Sequence, residues 1–206
     1  DWDERFQRPQ QLASRFAEAG QRVFYLNHHF LVGDEPYQLR SRGEHLWEVH
    51  IHGPQIDIYR DRPEVEQAEQ YLLSIERLHA DFDLRRAISI VELPFWWPIA
   101  ELARKRFLWP VAYDCMDLHA GFATNAEKML ALEDELVAEA ELVVVTSAVL
   151  ETRLSQHARR TIHVPNGCDY ERFAGVELAS SDSVPIVGYH GAIADWFDGE
   201  LLAKMA

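Results

Sequence analysis

ELVVVTSAVLETRL, residues 141–154, decides the fold. Leu142 to Thr146 is a run rich in β-branched residues, the pattern of a strand buried on both faces of a parallel sheet. Ser147 follows at once and is suited to cap a helix, in which Leu150 and Leu154 fall four residues apart on one face. A strand that passes directly into a capped helix is a βα unit, and the same alternation recurs on either side. Upstream, residues 126–140 are amphipathic, with Met129, Leu132 and Leu136 together. Before them FLWPVAYD (107–114) reads as a strand made irregular at its start by Pro110. AISIVEL (87–93) is another strand, PFWWP (94–98) a turn, and Pro98 opens a short helix to about Arg106. Downstream, TIHVP (161–165) is a short strand.

Further out the pattern continues. A helix starts at Arg8-Pro9, with Leu12, Phe16 and Ala19 as its apolar stripe and Gly20 placed just past its end. RVFYL (22–26) is a buried strand, residues 27–45 are irregular, and LWEVHI (46–51) alternates as a half-exposed strand. Residues 64–80 form a helix with Val65, Ala68, Leu72 and Ile75 apolar. Alternating strands and helices imply a Rossmann-like α/β domain, doubly wound about a parallel sheet. In such a sheet ligands sit beyond the carboxyl ends of the strands. That rule puts Asn27-His28-His29, Leu93 to Trp96, Asp114 to Gly121, Ser147 and Asn166-Gly167 on one rim. Residues 174–183 are small and polar, as in a linker. Val184 to Tyr189 is then expected as a strand, Gly191 as a turn, and residues near 197–206 as a helix. One strand and one helix cannot bury a core alone, so residues 184–206 are expected to be the truncated start of a second domain.

Composition narrows the function. The 206 residues are 48% hydrophobic and carry a formal charge of −14. That charge excludes nucleic acid as the main partner, which requires clustered Lys and Arg. No apolar run approaches the roughly 18–20 residues of a membrane helix, and Asp1-Trp2-Asp3-Glu4 lacks the chemistry of a signal peptide. The two cysteines, Cys115 and Cys168, are far apart in sequence, which fits a reducing cytoplasm. His28-His29 and His50-x-His52 attract a metal reading. However, adjacent residues of a strand point to opposite faces, and no third ligand lies near His50 and His52. No metal and no cofactor are therefore expected.

Four motifs in order resemble the GT-B glycosyltransferases, and more narrowly those of family 4 that build cell-surface polysaccharides. They are Trp2 with Arg8-Pro9-Gln10-Gln11-Leu12-Ala13, Tyr113-Asp114-Cys115-Met116-Asp117, ELVVVTSAVLETRL with IHVPNGCDYERF, and IVGYHGAIADWFD. The resemblance implies two Rossmann-like domains facing across a cleft, the first binding mainly the acceptor and the second the nucleotide-sugar donor. It makes residues 1–173 the acceptor-side domain, 174–183 the linker and 184–206 the start of the donor domain. Val164-Pro165-Asn166-Gly167-Cys168-Asp169 becomes the hinge, where Gly167 can take positive φ.

The site residues follow from the motifs. In YDCMDLHAGF (113–122), Asp114, Asp117, His119 and Gly121 fall at the rim. Asp117 and His119 are the candidate catalytic groups, since a carboxylate or imidazole there could orient a sugar hydroxyl or accept its proton. The alternative is that Asp114 and Asp117 cap the following turn. In DWDERFQRPQ (1–10), Arg5, Gln7 and Arg8 could offer donors to a phosphate or to acceptor hydroxyls at a helix N-terminus. Ser147 and Asn166 complete the first rim. Gly191 would let backbone approach the diphosphate, although the segment to Asp198 supplies no Arg or Lys. PFWWP either stacks on a sugar or packs in the core.

The resemblance implies a retaining hexosyltransferase whose substrates are a nucleotide-sugar and a polysaccharide or lipid-linked glycan acceptor. It places the enzyme in the cytoplasm, at the inner face of the membrane, with peripheral membrane contact by the full-length protein. The isolated piece is expected to be inactive. A nucleotide-sugar epimerase of the same fold and a non-catalytic carbohydrate-binding domain are the alternatives. A dinucleotide oxidoreductase is disfavoured, since no GxGxxG follows any strand.

Overall fold

The computed structural model describes residues 2–3, 6–122, 125–175, 188–189, 191, 193 and 197–205. Its contacts divide the chain into two units, Asp1–Gly167 and Cys168–Ala206. Unit one opens with α1 (Arg8–Glu18), β1 (Val23–Leu26), β2 (Tyr37–Gly43) and β3 (Leu46–Ile51). Then come α2 (Val65–Phe82), β4 (Ser89–Val91), a 3-10 turn (Pro94–Trp96), α3 (Trp97–Phe107) and β5 (Val111–Cys115). A second 3-10 turn (His119–Gly121), α4 (Glu127–Glu139), β6 (Leu142–Val145), α5 (Ala148–Leu154) and β7 (Thr161–His163) complete it.

The strands form two sheets. One is parallel throughout, in the order β4-β5-β6-β7. The other has the order β1-β3-β2, with β1 parallel to β3 and β2 antiparallel to it. The α/β Rossmann-like class expected from the sequence stands, and β2 is the addition. Its sequence, YQLRSRG, has a polar exposed side and sits on a sheet edge, where charged residues are common. Only its pairing with β3 makes it a strand, so reading residues 27–45 as irregular missed it. β3 in turn lies between two neighbours. It is therefore mostly buried rather than half exposed, Glu48 included at 2% exposure.

The helix faces are also shifted from the expected stripes. In α1 the buried residues are Gln10, Ala13 and Ala17, while Phe16 is exposed. The two alanines pack with Leu46, since small side chains let the helix backbone come close to the strand. In α2, Tyr71 and Leu78 lie on the buried side and Val65 is exposed. β6 buries Val143 and Val145, and leaves Leu142 and Val144 partly exposed.

Two cores result. Val111, Tyr113, Val143, Val145, Leu132 and Leu136 belong to the first. Val49, Ile51, Tyr71, Phe95 and Ile99 belong to the second. Complete burial of a side chain such as Leu136 contributes about 1.5–3 kcal/mol. α3 serves both cores, with Trp97 and Ala100 in one and Ile99 and Ala103 in the other, and Trp96 packs against each. PFWWP is thus core packing: Phe95 is fully buried and Trp97 nearly so.

Unit two holds α6 (Tyr170–Phe173) and α7 (Gly199–Met205). The helix expected near 197–206 is α7. Residues 184–187 of the expected strand lie outside the described residues, and Gly188 and Tyr189 are irregular. Gly167 does not use the positive φ expected of a hinge glycine; Gly175 does, at 85°.

Candidate functional site

α1 points its first residue at the ends of the parallel strands. The helix starts there because Pro9 suits the first turn and the Gln7 backbone N–H donates to Gln10 Oε1 at 3.0 Å. Gln7 is exposed and serves this helix start. Arg8 is fixed as the next residue, and its guanidinium grips Asp114 with both arms: Nε donates to Oδ2 at 2.8 Å and Nη2 to Oδ1 at 2.9 Å. Nη1 reaches the Pro165 carbonyl and Asn166 Oδ1, both at 3.3 Å. Residues from the chain start, β5 and the segment after β7 thus meet at one point. Asp114 is 2% exposed. Among the described residues it neither caps a turn nor bonds to backbone, but neutralises Arg8 by the fork geometry that a guanidinium and a carboxylate share. The bond to Asp114 also holds the Arg8 guanidinium above its ordinary value.

A second acid stands beside this pair. Glu92 follows β4 and is partly exposed. Burial, then the Asp114 charge, push its carboxyl up to about 8 against the opposing pull of Arg8. Tyr25 on β1 feels the Glu92 charge as well, and its phenol is pushed up to about 12, first by burial. Sequence reasoning passed over Glu92. An acid placed directly after the apolar run SIV was the signal that could have found it.

The loop after β5 is tied down from beneath. The Thr146 hydroxyl donates to the Met116 carbonyl at 2.8 Å, and the Cys115 thiol lies 3.5 Å from the Asp117 carbonyl. Asp117 is exposed, while His119 is 7% exposed and its Nε2 has no hydrogen-bond partner among the described residues. Burial depresses the His119 imidazole below its ordinary value, opposed by the charges of Glu133 and Asp117. Glu133 accepts from the Tyr113 hydroxyl at 2.8 Å in the core below. The Gly121 N–H closes the turn on the Leu118 carbonyl at 2.8 Å. Ser147 caps α5, its Oγ accepting from the Leu150 N–H at 3.3 Å.

Arg5 lies outside the described residues. Gly191 belongs to unit two, where the Tyr189 hydroxyl lies in the space a Cβ would need, 2.6 Å from it. His28 and His29 do not alternate as on a strand. Residues 28–29 form a bend, so the two rings lie side by side at 4.3 Å. No group of His, Cys, Asp and Glu suited to hold a metal occurs among the described residues. No helix among them is long and apolar enough to cross a membrane.

A separate polar network joins the second sheet to the chain start. Asn27 Nδ2 donates to buried Glu48, and Arg42 binds Glu48 and Asp3 together. Its bonds to Arg42 hold the Asp3 carboxyl below the usual range, and Arg42 also lies 5.9 Å from the Trp2 ring. Trp2 meets Tyr25 edge-on at 5.2 Å. The front of the chain is anchored by these contacts, which sequence pattern did not reveal.

Two solved structures show the same fold. A sucrose-phosphate synthase from Thermosynechococcus elongatus superimposes with a TM-score of 0.55 at 17% identity, over 80% of this chain and 87% of that one. A second chain of sucrose-phosphate synthase from the same organism gives a TM-score of 0.57 at 18% identity. There the match takes in 79% of this chain but 42% of the other, so this chain spans less than half of that structure's length. No family model and no curated protein matches the chain.

Proposed function

We propose that this chain is the acceptor-side part of a nucleotide-sugar-dependent glycosyltransferase of the GT-B kind. The observation that carries this reading is the Arg8–Asp114–Asn166 cluster. It stands at the carboxyl ends of a parallel sheet, where α/β folds bind ligands, on a fold shared with sucrose-phosphate synthase. In this reading the full enzyme moves a hexose, with retention, from a nucleotide-sugar to a growing polysaccharide or lipid-linked glycan. It works at the cytoplasmic face of a membrane, which it touches peripherally. Residues 174–183 are the linker, and residues 184–206 begin the donor-binding part, with Gly191 at its diphosphate turn.

The chemistry asked of this part is positioning. Catalysis rests on holding acceptor and donor in line and on stabilising the departing diphosphate. Asp117, exposed on its loop, is the group able to orient an acceptor hydroxyl or take its proton. Buried His119, its imidazole held below its ordinary value by burial, is the second candidate catalytic group on that loop. Arg8, its charge already met by Asp114, fixes the edge of the site rather than serving as a mobile phosphate ligand.

The test is transfer by the full-length product of the gene. Supplied with a radiolabelled UDP- or GDP-hexose and a lipid-linked or polysaccharide acceptor, it is expected to incorporate label into the acceptor. Interconversion of the nucleotide-sugar without any acceptor would instead make it an epimerase. Sugar binding with neither reaction would make it a binding domain. Calorimetry on the 206-residue chain is expected to show nucleotide-sugar binding weaker than micromolar, because the donor contacts are assigned to the other half.

A further inference from the structure

β5 and β6 run side by side as far as the pair Cys115 and Val145, where their ladder ends. The next residue of each strand continues the contact by another means. The Thr146 hydroxyl donates to the Met116 carbonyl at 2.8 Å, so a side chain takes over where the backbone bonds stop. One residue on, the buried Cys115 thiol lies 3.5 Å from the Asp117 carbonyl and 3.8 Å from Glu133 Oε1. Burial pushes that thiol up to about 12, so it keeps its proton at neutral pH and remains a donor.

These two contacts hold the peptide units on either side of Asp117. A peptide unit is planar, so a residue turns only about the two bonds that join it to its flanking units. The Met116 carbonyl belongs to the unit before Asp117 and the Asp117 carbonyl to the unit after it. The Asp117 side chain is thus exposed above a backbone gripped from both sides. Thr146 is the stronger grip, because a thiol is a weak donor and this one is shared with Glu133. A β-branched side chain also has few χ1 choices, which keeps the Thr146 hydroxyl on its acceptor. A carboxylate that must meet an acceptor hydroxyl depends on such support, since misplacement by about 1 Å can cost on the order of 10²-fold in rate.

We infer that Thr146 is a positioning residue for Asp117, its bond to the Met116 carbonyl setting where the Asp117 carboxylate meets an acceptor hydroxyl. This rests on the acceptor-side reading above, in which Asp117 acts on that hydroxyl. It adds a part of the rim supplied by the end of β6, which acts through Asp117 rather than on substrate. Removing the Thr146 hydroxyl therefore slows transfer while leaving donor affinity alone. Where the Asp117 carboxylate is already gone, removing it changes nothing further. Serine, which keeps the hydroxyl, substitutes for it.

The experiment is initial-rate transfer of radiolabelled UDP- or GDP-hexose by the full-length product of the gene, at a temperature well below every Tm. The proteins are wild type, Thr146→Val, Thr146→Ser, Asp117→Asn and the double variant with Thr146→Val and Asp117→Asn. Asp117→Asn is expected to lose about 10²-fold or more in kcat. Thr146→Val, the same shape without the hydroxyl, is expected to lose about tenfold in kcat with the donor KM within about twofold of wild type. Thr146→Ser is expected to stay within about threefold of wild type in kcat. The double variant is expected to fall within about twofold of Asp117→Asn, because groups that act as a unit are not additive. If Thr146→Val does not fold by circular dichroism, Thr146→Ala decides in its place. A folded valine variant with wild-type kcat, a serine variant as slow as the valine one, or a double variant about tenfold below Asp117→Asn overturns the role of Thr146 and leaves the acceptor-side reading standing. Asp117→Asn at the wild-type rate overturns Asp117 as the acting group, and Thr146 with it. A wild type that transfers no label overturns the acceptor-side reading itself.

Discussion

Arg8 and Asp114 are 106 positions apart in sequence and make a two-pronged bond with little solvent access, their side chains 12% and 3% exposed. A buried pair of this kind is costly to break, because the remaining charge has no water to turn to. Asp114→Ala is expected to lower unfolding free energy by about 3 kcal/mol in urea titration. Arg8→Lys is expected to lose part of that stability too, because an ammonium cannot match both carboxylate oxygens. Glu92 gives a prediction of opposite sense. Its folded carboxyl titrates near 8, above the ordinary carboxyl value of 4.5, so its neutral form is favoured in the fold. That contribution is complete below the unfolded pKa and is lost as pH rises towards and through 8. Wild type is therefore expected to lose on the order of 2–4 kcal/mol between pH 5 and pH 9 from this group. Glu92→Gln is expected to flatten that loss in denaturant titrations at the two pH values; an unchanged pH slope would remove the assignment.

At the scale of elements, α2 approaches the backbone after β3 closely enough to require a glycine. A Cβ at Gly53 would stand 2.1 Å from the Tyr71 ring, and Tyr71 is fully buried with its hydroxyl donating to the Pro54 carbonyl. Gly53→Ala is expected to cost about 1–3 kcal/mol by overpacking, read as a fall in Tm. The second variant Tyr71→Phe separates the hydroxyl from the ring, and is expected to cost about 1 kcal/mol for the lost hydrogen bond. α5 depends on a different device. Ser147→Ala removes the cap from a helix of seven residues and is expected to cost about 1 kcal/mol. The α5 cap was legible because strand, serine and paired leucines are adjacent in sequence. The Gly53–Tyr71 contact was not, since it joins residues 18 positions apart on different elements.

For the whole molecule, α3 is the shared member of two cores, and Trp96 touches both. Unit one is therefore expected to unfold in a single transition although its strands lie in two sheets. Trp96→Ala is expected to lower Tm while keeping one calorimetric peak; two resolved peaks would mean that the sheets unfold separately. By itself the sequence determined the α/β class, the alternation of elements apart from β2, and the Ser147 cap of α5, because these follow from periodicity and from neighbours along the chain. It also marked Asp114 and Asn166 as rim residues and Arg8 as a candidate donor at a helix N-terminus. Their assembly into a single clamp, the burial of Glu48, the pairing that makes β2 a strand and the raised carboxyl of Glu92 were decided by tertiary structure. Each depends on which distant residue arrives alongside, and in a low-dielectric interior that neighbour sets whether a charge is paired, neutral or excluded.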